Sequence, residues 1–236
     1  MSKSSPPNNR NKRDGIGTLN EFSLHAEIIQ HLAQKDDQLE AKLEGYFIDI
    51  LRGNQIIEVQ TTHLAKLRPK IRKLRTTHDF EIIYPIQAKK TIIKKAAGGE
   101  IVSKRLSPKK GKVEHLFDEM VHAPSLIEHN KVSLTVLLIE AEEIWQDDGK
   151  GSWRRKFWSI SERHLSRIIE SVHFSNNEDF LRLLPKSLPS PFTNKQLAEQ
   201  LRIRGRLAGK ITYTLRKMGI LQIIGKKGNA HLFSTV

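Results

Sequence analysis

The sequence has no cysteine, only three tyrosines and three tryptophans among 236 residues, and no apolar run approaching the roughly 18 residues of a membrane span. Without cysteine there is neither a disulfide framework nor a thiolate zinc site, so metal chemistry has to use oxygen or imidazole ligands. Acids are scarce as well: 26 Asp and Glu face 40 Lys and Arg, a formal charge of +14. Such an excess repels itself in a compact chain unless an acidic partner complements it, and nucleic acid is the commonest such partner. No apolar segment follows the polar first residues to act as a signal peptide, and no phosphate-binding glycine loop or Gly-x-Ser-x-Gly nucleophile turn is present. These absences predict a cytoplasmic protein with no membrane partner.

What is present divides the chain in four. Residues 1–17, with Arg10, Lys12 and Arg13, read as a disordered basic tail. Residues 18–182 have the texture of an α/β domain, residues 183–191 form a linker with three prolines, and residues 192–236 form a smaller module. Within the α/β part, Phe22, Leu24, Ile28, Ile29 and Leu32 give residues 19–33 a helical stripe. Residues 39–61 break into short apolar runs separated by Gly45 and by a turn at Arg52-Gly53-Asn54, the pattern of a three-strand meander. Leu64, Leu67, Ile71 and Leu74 mark a second helix, which Pro69 either kinks or delays, and residues 80–86 a fourth strand. Residues 87–112 hold nine Lys or Arg against one acid and turn at Gly98-Gly99, which predicts a basic hairpin. A helix around 113–121, a strand at 132–139, a strand through Trp153 and Trp158 and a helix opened by Ser161 complete the expected order.

Candidate chemistry lies in the meander. Alternation puts Asp49 with Phe47 and Leu51 on one face of the second strand, and Glu58 with Ile56 and Gln60 on one face of the third. Antiparallel pairing through the Gly53 turn sets Asp49 opposite Glu58, close enough to share a cation. Two carboxylates suit Mg²⁺ or Mn²⁺, hard ions that complete their shells with water and phosphate oxygens.

The order helix, three strands, helix, strand, with Asp49 on the second strand and Glu58-Val59-Gln60 on the third, resembles the PD-(D/E)XK, or restriction-endonuclease-like, nuclease superfamily over residues 19–86. The resemblance implies that Asp49 and Glu58 hold the metal for phosphodiester hydrolysis. It also implies a role in positioning water for Gln60, where the superfamily usually has a Lys; Gln cannot supply positive charge. An acid from the first helix is often added. Glu21 falls in the apolar arc of that helix beside His25, whereas Glu27 lies among Ser23, Gln30 and Gln34, so Glu21 is the expected third acid. Lys66, on the basic face of the second helix, stands where a phosphate backbone would pass.

From residue 190 to the end there are nine Lys or Arg and one acid, Glu199. Thr193 caps NKQLAEQL, a turn and a second helix follow, and GILQIIGKKGNAHLF closes as a hairpin, an order similar to a winged helix-turn-helix. The expected nucleic-acid contacts are Lys195, Arg204, Arg206, Lys210, Thr214, Arg216, Lys226 and Lys227, with Leu207, Ile211 and Leu215 in the core. The expected function is a metal-dependent DNA endonuclease docked on duplex DNA. The alternatives are an inactive DNA-binding regulator or scaffold on the same fold, and an RNA-associated protein. A homodimer stays open.

Overall fold

The computed structural model describes residues 16–236, with side chains from residue 23 onward. The expected basic tail therefore lies almost wholly outside the described residues, and so does the side chain of Glu21.

The first helix, α1 (Ile16–Leu32), leads into β1 (Gln38–Leu43), β2 (Tyr46–Arg52) and β3 (Gln55–Val59), the expected antiparallel meander. Its second turn needs Gly53, at φ 55°, a left-handed backbone that costs glycine nothing. A turn of 3-10 helix, Leu64–Leu67, and α2 (Arg68–Leu74) follow, with Pro69 in the first turn of α2, where its missing N–H removes no helical bond. The chain then enters β4 (Asp79–Lys95) beside β3 and parallel to it, with Gln55 opposite Asp79 and Val59 opposite Ile83.

Strand β4 is more than twice as long as its apolar signature predicts. Beyond residue 86 it continues as one arm of the basic hairpin, pairing with β5 (Ile101–Leu106) from Thr91 to Lys95 around a turn at residues 96–100. Its other edge is filled throughout by β6 (Val132–Gln146), a parallel partner from Phe80 opposite Val132 to Lys95 opposite Gln146. Between β5 and β6 stand a 3-10 turn, Val113–Leu116, and the short α3 (Phe117–Met120).

After β6 the expectation fails. Trp153–Arg155 is a single 3-10 turn, and the residues expected to form a helix from Ser161 are instead a long strand, β7 (Ser159–Phe174), antiparallel to β6. Three register shifts explain the misreading. Ala141 and Ile139 are two apart on β6, but their partners Leu165 and Ile168 are three apart on β7. Each extra residue on β7 changes the parity of the strand, so side chains three apart reach the same face and imitate a helical stripe.

The result is a mixed seven-stranded sheet in the order β1-β2-β3-β4-β6-β7, with β5 also on β4. On one face Leu24, Ile28 and Ile29 of α1 pack on Ile50, Ile57, Val59, Ile83 and Leu137. On the other, Leu67 of the 3-10 turn, Ile71 and Leu74 of α2, and Leu116, Phe117 and Met120 pack on Ile48, Ile56, Ile82 and Leu134. Burying each such Leu, Ile or Phe contributes about 1.5–3 kcal/mol before entropy is counted.

The C-terminal segment comprises α4 (Asn194–Leu201), capped by the Thr193 hydroxyl, then α5 (Gly205–Lys217) and an antiparallel hairpin of β8 (Leu221–Lys227) and β9 (Ala230–Thr235). Phe192, Leu207, Ile211, Leu215 and Phe233 fall in the same hydrophobic cluster as Phe117 and Phe180, and α5 packs on α3. No helix among the described residues is long and apolar enough to cross a membrane.

Candidate functional site

The β2–β3 ladder runs from Arg52 opposite Gln55 to Ile50 opposite Ile57, which brings Asp49 and Glu58 to the next rung. There the ladder forks. Ile48 packs with the α2 face and Ile50 with the α1 face although they are two apart, so the alternation slips by one at Asp49. Glu40 of β1, at the level of Asp49, takes a left-handed φ of 51° as the backbone absorbs the slip. The slip turns Asp49 off the face it was expected to share with Leu51. Its Oδ2 accepts 2.8 Å from Val59 N and lies 3.2 Å from His25 Nε2 on α1, while the Asp49 N–H points to Glu58 Oε1 at 3.4 Å.

Glu58 faces the opposite side of the sheet, 4% exposed, and accepts from Lys70 Nζ of α2 at 2.6 Å. The same ammonium donates to Phe47 O at 2.6 Å. Burial and then the nearby Asp49 charge push the Glu58 carboxyl up from 4.5 to about 7, and Lys70 does not offset them. Its hydrogen bond to Asp49 raises the His25 imidazole above its ordinary value, more than burial lowers it. The two carboxylates thus carry one in-chain basic partner each, from the helices on opposite faces.

Neither partner is a residue expected to act. His25 was seen only as a neighbour of Glu21. Lys70 sits 60° round its helix from Leu67, on the flank of the core stripe, whereas Lys66 is exposed. Gln60 continues β3, its N–H donating to Ile83 O at 2.8 Å and its side-chain amide to Thr62 O. Glu27 is held away from Asp49 by β7, with Oε1 2.7 Å from His164 Nδ1 and Oε2 accepting from Leu165 N at 2.5 Å.

Just beyond Gln60 lies a cleft of about 370 Å³ with Thr61 and Thr62 in its wall. Strand topology creates it: β4 pairs with β3 only as far as Ile83 and with β5 only from Thr91, leaving the edge between them open. Tyr84, Ile86 and Gln87 line this gap, and the loop after β5 crosses it at Gly111, whose N–H donates to Gln87 O at 3.0 Å. A Cβ on Gly111 would stand 2.5 Å from that oxygen, so the approach requires glycine. Lys90 and Arg163 also stand in the wall, anchored at 3.0 and 3.1 Å to Glu143, which is 3% exposed. Burial alone would raise the Glu143 carboxyl, but Lys90, the Trp145 indole N–H and Arg163 together outweigh it and hold the group below its ordinary value.

Of the expected nucleic-acid contacts, Lys66, Lys195, Arg204, Arg206, Arg216, Lys226 and Lys227 are exposed. Lys210 bonds to Asp118 Oδ1 at 2.7 Å. Thr214 is a correction: it is fully buried, because seven residues after Leu207 it returns to the same face of α5, and it touches no solvent.

A divalent ion is tested by the oxygens left free. Among the described residues Asp49 Oδ1 receives no hydrogen bond, and Glu58 Oε1 has only the 3.4 Å contact from Asp49 N. No three His, Asp or Glu among the described residues cluster as a metal-holding group. One oxygen from each of two carboxylates, turned toward helices on opposite faces of the sheet, is a sparse donor set for a divalent ion, which would have to complete its shell with water and ligand oxygens.

The chain belongs to the family described as Domain of unknown function (DUF8091), whose profile matches residues 22–175, the sheet with α1 through β7. A relative from Treponema pallidum (strain Nichols), described as an uncharacterized protein, is 29% identical over 220 residues, covering 92% of this chain and 86% of its own. No solved structure matches the chain.

Proposed function

We propose that this member of the DUF8091 family is a nucleic-acid-binding protein of PD-(D/E)XK type, with Asp49 and Glu58 as the acidic pair of a phosphodiester hydrolase and the C-terminal segment as a winged helix. The observation that carries the reading is the meeting of Asp49 and Glu58 at the fork between β2 and β3, with Lys70 on Glu58. The parallel β3–β4 pair and the preceding order of α1, meander and α2 support it.

In this reading Lys70 supplies the positive charge that Gln60 lacks. Its short bond to Glu58 opposes, without cancelling, the rise that burial and the Asp49 charge impose on that carboxyl. His25 and the Val59 N–H fix Asp49 with one oxygen turned free. Lys90 and Arg163 offer donors for phosphate oxygens in the adjoining cleft, held in place by Glu143. Mg²⁺ or Mn²⁺ held by Asp49 and Glu58 would lower the pKa of an attacking water and neutralise charge on the phosphate.

The test is cleavage of labelled single-stranded, duplex and branched DNA with Mg²⁺ or Mn²⁺, beside a chelator control, Asp49→Asn and Lys70→Met. Metal-dependent cutting is expected, lost by about 10²-fold or more in either variant while DNA binding persists. Equal loss of binding and cutting in Asp49→Asn would remove its assignment to the hydrolytic site. A second reading, a DNA-binding scaffold without hydrolysis, is favoured by one observation: both carboxylates already have in-chain basic partners, and the Gln60 amide is engaged with Thr62 O. Tight binding with no cutting of any substrate selects it.

A further inference from the structure

We infer that a nucleic-acid backbone lies in the groove between the loop after β5 and the first turn of α5, and not along the outward face of α5. The inference rests on the nucleic-acid-binding reading above and states where on the molecule the strand runs. The groove has a volume of about 950 Å³. Lys109 and Lys110 stand on one wall and Arg202, Arg204 and Arg206 on the other, all exposed. None of these five forms an ion pair among the described residues.

Two further cations of the groove are used to build it. Lys112 donates to Leu201 O at 2.8 Å and Lys210 to Asp118 Oδ1 at 2.7 Å, so each ties the main body to the C-terminal segment. The walls are thereby held at a fixed separation with like charge facing like charge across the gap. That arrangement repels itself unless a polyanion occupies it. Asp118, the acid in the lining, is already engaged by Lys210.

The groove does not end at the C-terminal segment. Lys109, His115 and Asp118 line both it and the cleft between β3 and β5, so one continuous track leads from α5 to Thr61 and Thr62, just past Glu58 and Gln60. A strand in that track reaches Thr61 and Thr62, which follow Glu58 on the chain as it leaves β3. The rest of α5 offers less: Leu207, Ile211, Thr214 and Leu215 are buried and the helix is packed on α3, which leaves Tyr213, Arg216 and Lys217 at the surface beyond the groove residue Arg206.

The experiment is equilibrium binding of a labelled short DNA duplex to the full chain in chelator, where no metal-dependent cutting intervenes, over a series of salt concentrations. The double variant Lys110→Glu/Arg204→Glu is compared with Arg216→Glu/Lys217→Glu. The groove variant is expected to weaken binding about ten-fold or more and to lower the slope of log K against log salt by about 2, while the outward variant changes either little. Thermal melting checks that both are folded, and Lys110→Gln and Arg204→Gln serve if the double reversal is not. Equal or larger loss in the outward variant overturns the inference, as does polyglutamate competing as well as DNA at equal charge. Groove-dependent binding without metal-dependent cutting leaves the inference standing and removes only the hydrolase.

Discussion

Lys70 and Glu58 form an ion pair at 2.6 Å whose side chains keep only 15% and 5% of their surface in solvent. Removing one member of such a pair strands the other in a medium that cannot solvate it. Lys70→Met is expected to destabilise the protein by about 2–4 kcal/mol at pH 8. Below pH 6, where Glu58 takes up a proton, the loss is smaller. Urea unfolding at the two pH values measures both, and Lys70→Met/Glu58→Gln is expected to recover most of the loss. An identical cost at both pH values would mean that packing of the lysine stem, not charge, is what the variant removes.

Glu58 itself makes stability depend on pH. Its carboxyl is raised from 4.5 to about 7, so the folded state binds the proton more tightly than the unfolded chain does. The stabilisation this gives is complete below about pH 4.5 and is lost as pH rises through 7, a change on the order of 3 kcal/mol. Glu58→Gln removes the titration. The unfolding free energy of the wild type minus that of Glu58→Gln is therefore expected to be more favourable at pH 5 than at pH 8, measured by denaturant titration; the opposite trend would place the carboxyl in a far wetter setting.

Gly111 crosses the open edge of β4 so closely that a methyl group would stand 2.5 Å from Gln87 O and 2.6 Å from an Ile86 methyl carbon. Gly111→Ala must push the loop away from the strand. The expected cost is about 1–3 kcal/mol, together with loss of DNA binding, because the loop carries Lys109 and Lys110. A melting curve and a binding titration read the two effects, and unchanged binding would detach the loop from the track.

Thr214 is fully buried in α5, and among the described residues its hydroxyl has no hydrogen-bond partner. A hydroxyl in that state has lost its water without replacement. Thr214→Val keeps the shape and is expected to stabilise the protein by about 1 kcal/mol, as a rise in melting temperature. A clear fall would reveal a hidden partner for the hydroxyl.

Much of this architecture is legible in the sequence where one periodicity governs. The stripe of Leu24, Ile28 and Ile29, the Gly53 turn, the Gly98-Gly99 hairpin and the Thr193 cap each depend on neighbours a few residues away. Strand β7 is not legible, because the extra residues opposite Ile139 and Ala141 of β6 set its parity. The site divides the same way. Asp49 and Glu58 are within reach because their strands are joined by a tight turn, so register follows from counting. Lys70 and His25 meet them through helix packing, which counting cannot supply, and the slip at Asp49 turns its carboxylate toward α1 and away from the face that strict alternation gives it.

The common core of Phe117, Phe180, Leu207 and Phe233 changes what residues 184–191 do. A tether sets the reach of the module at its end, and binding by two tethered surfaces depends on tether length. Here the separation of the two basic walls is fixed by buried side chains. The proline-rich segment only closes a loop between parts already in contact, and doubling its length would cost about 0.6 kcal/mol of closure entropy without moving either wall.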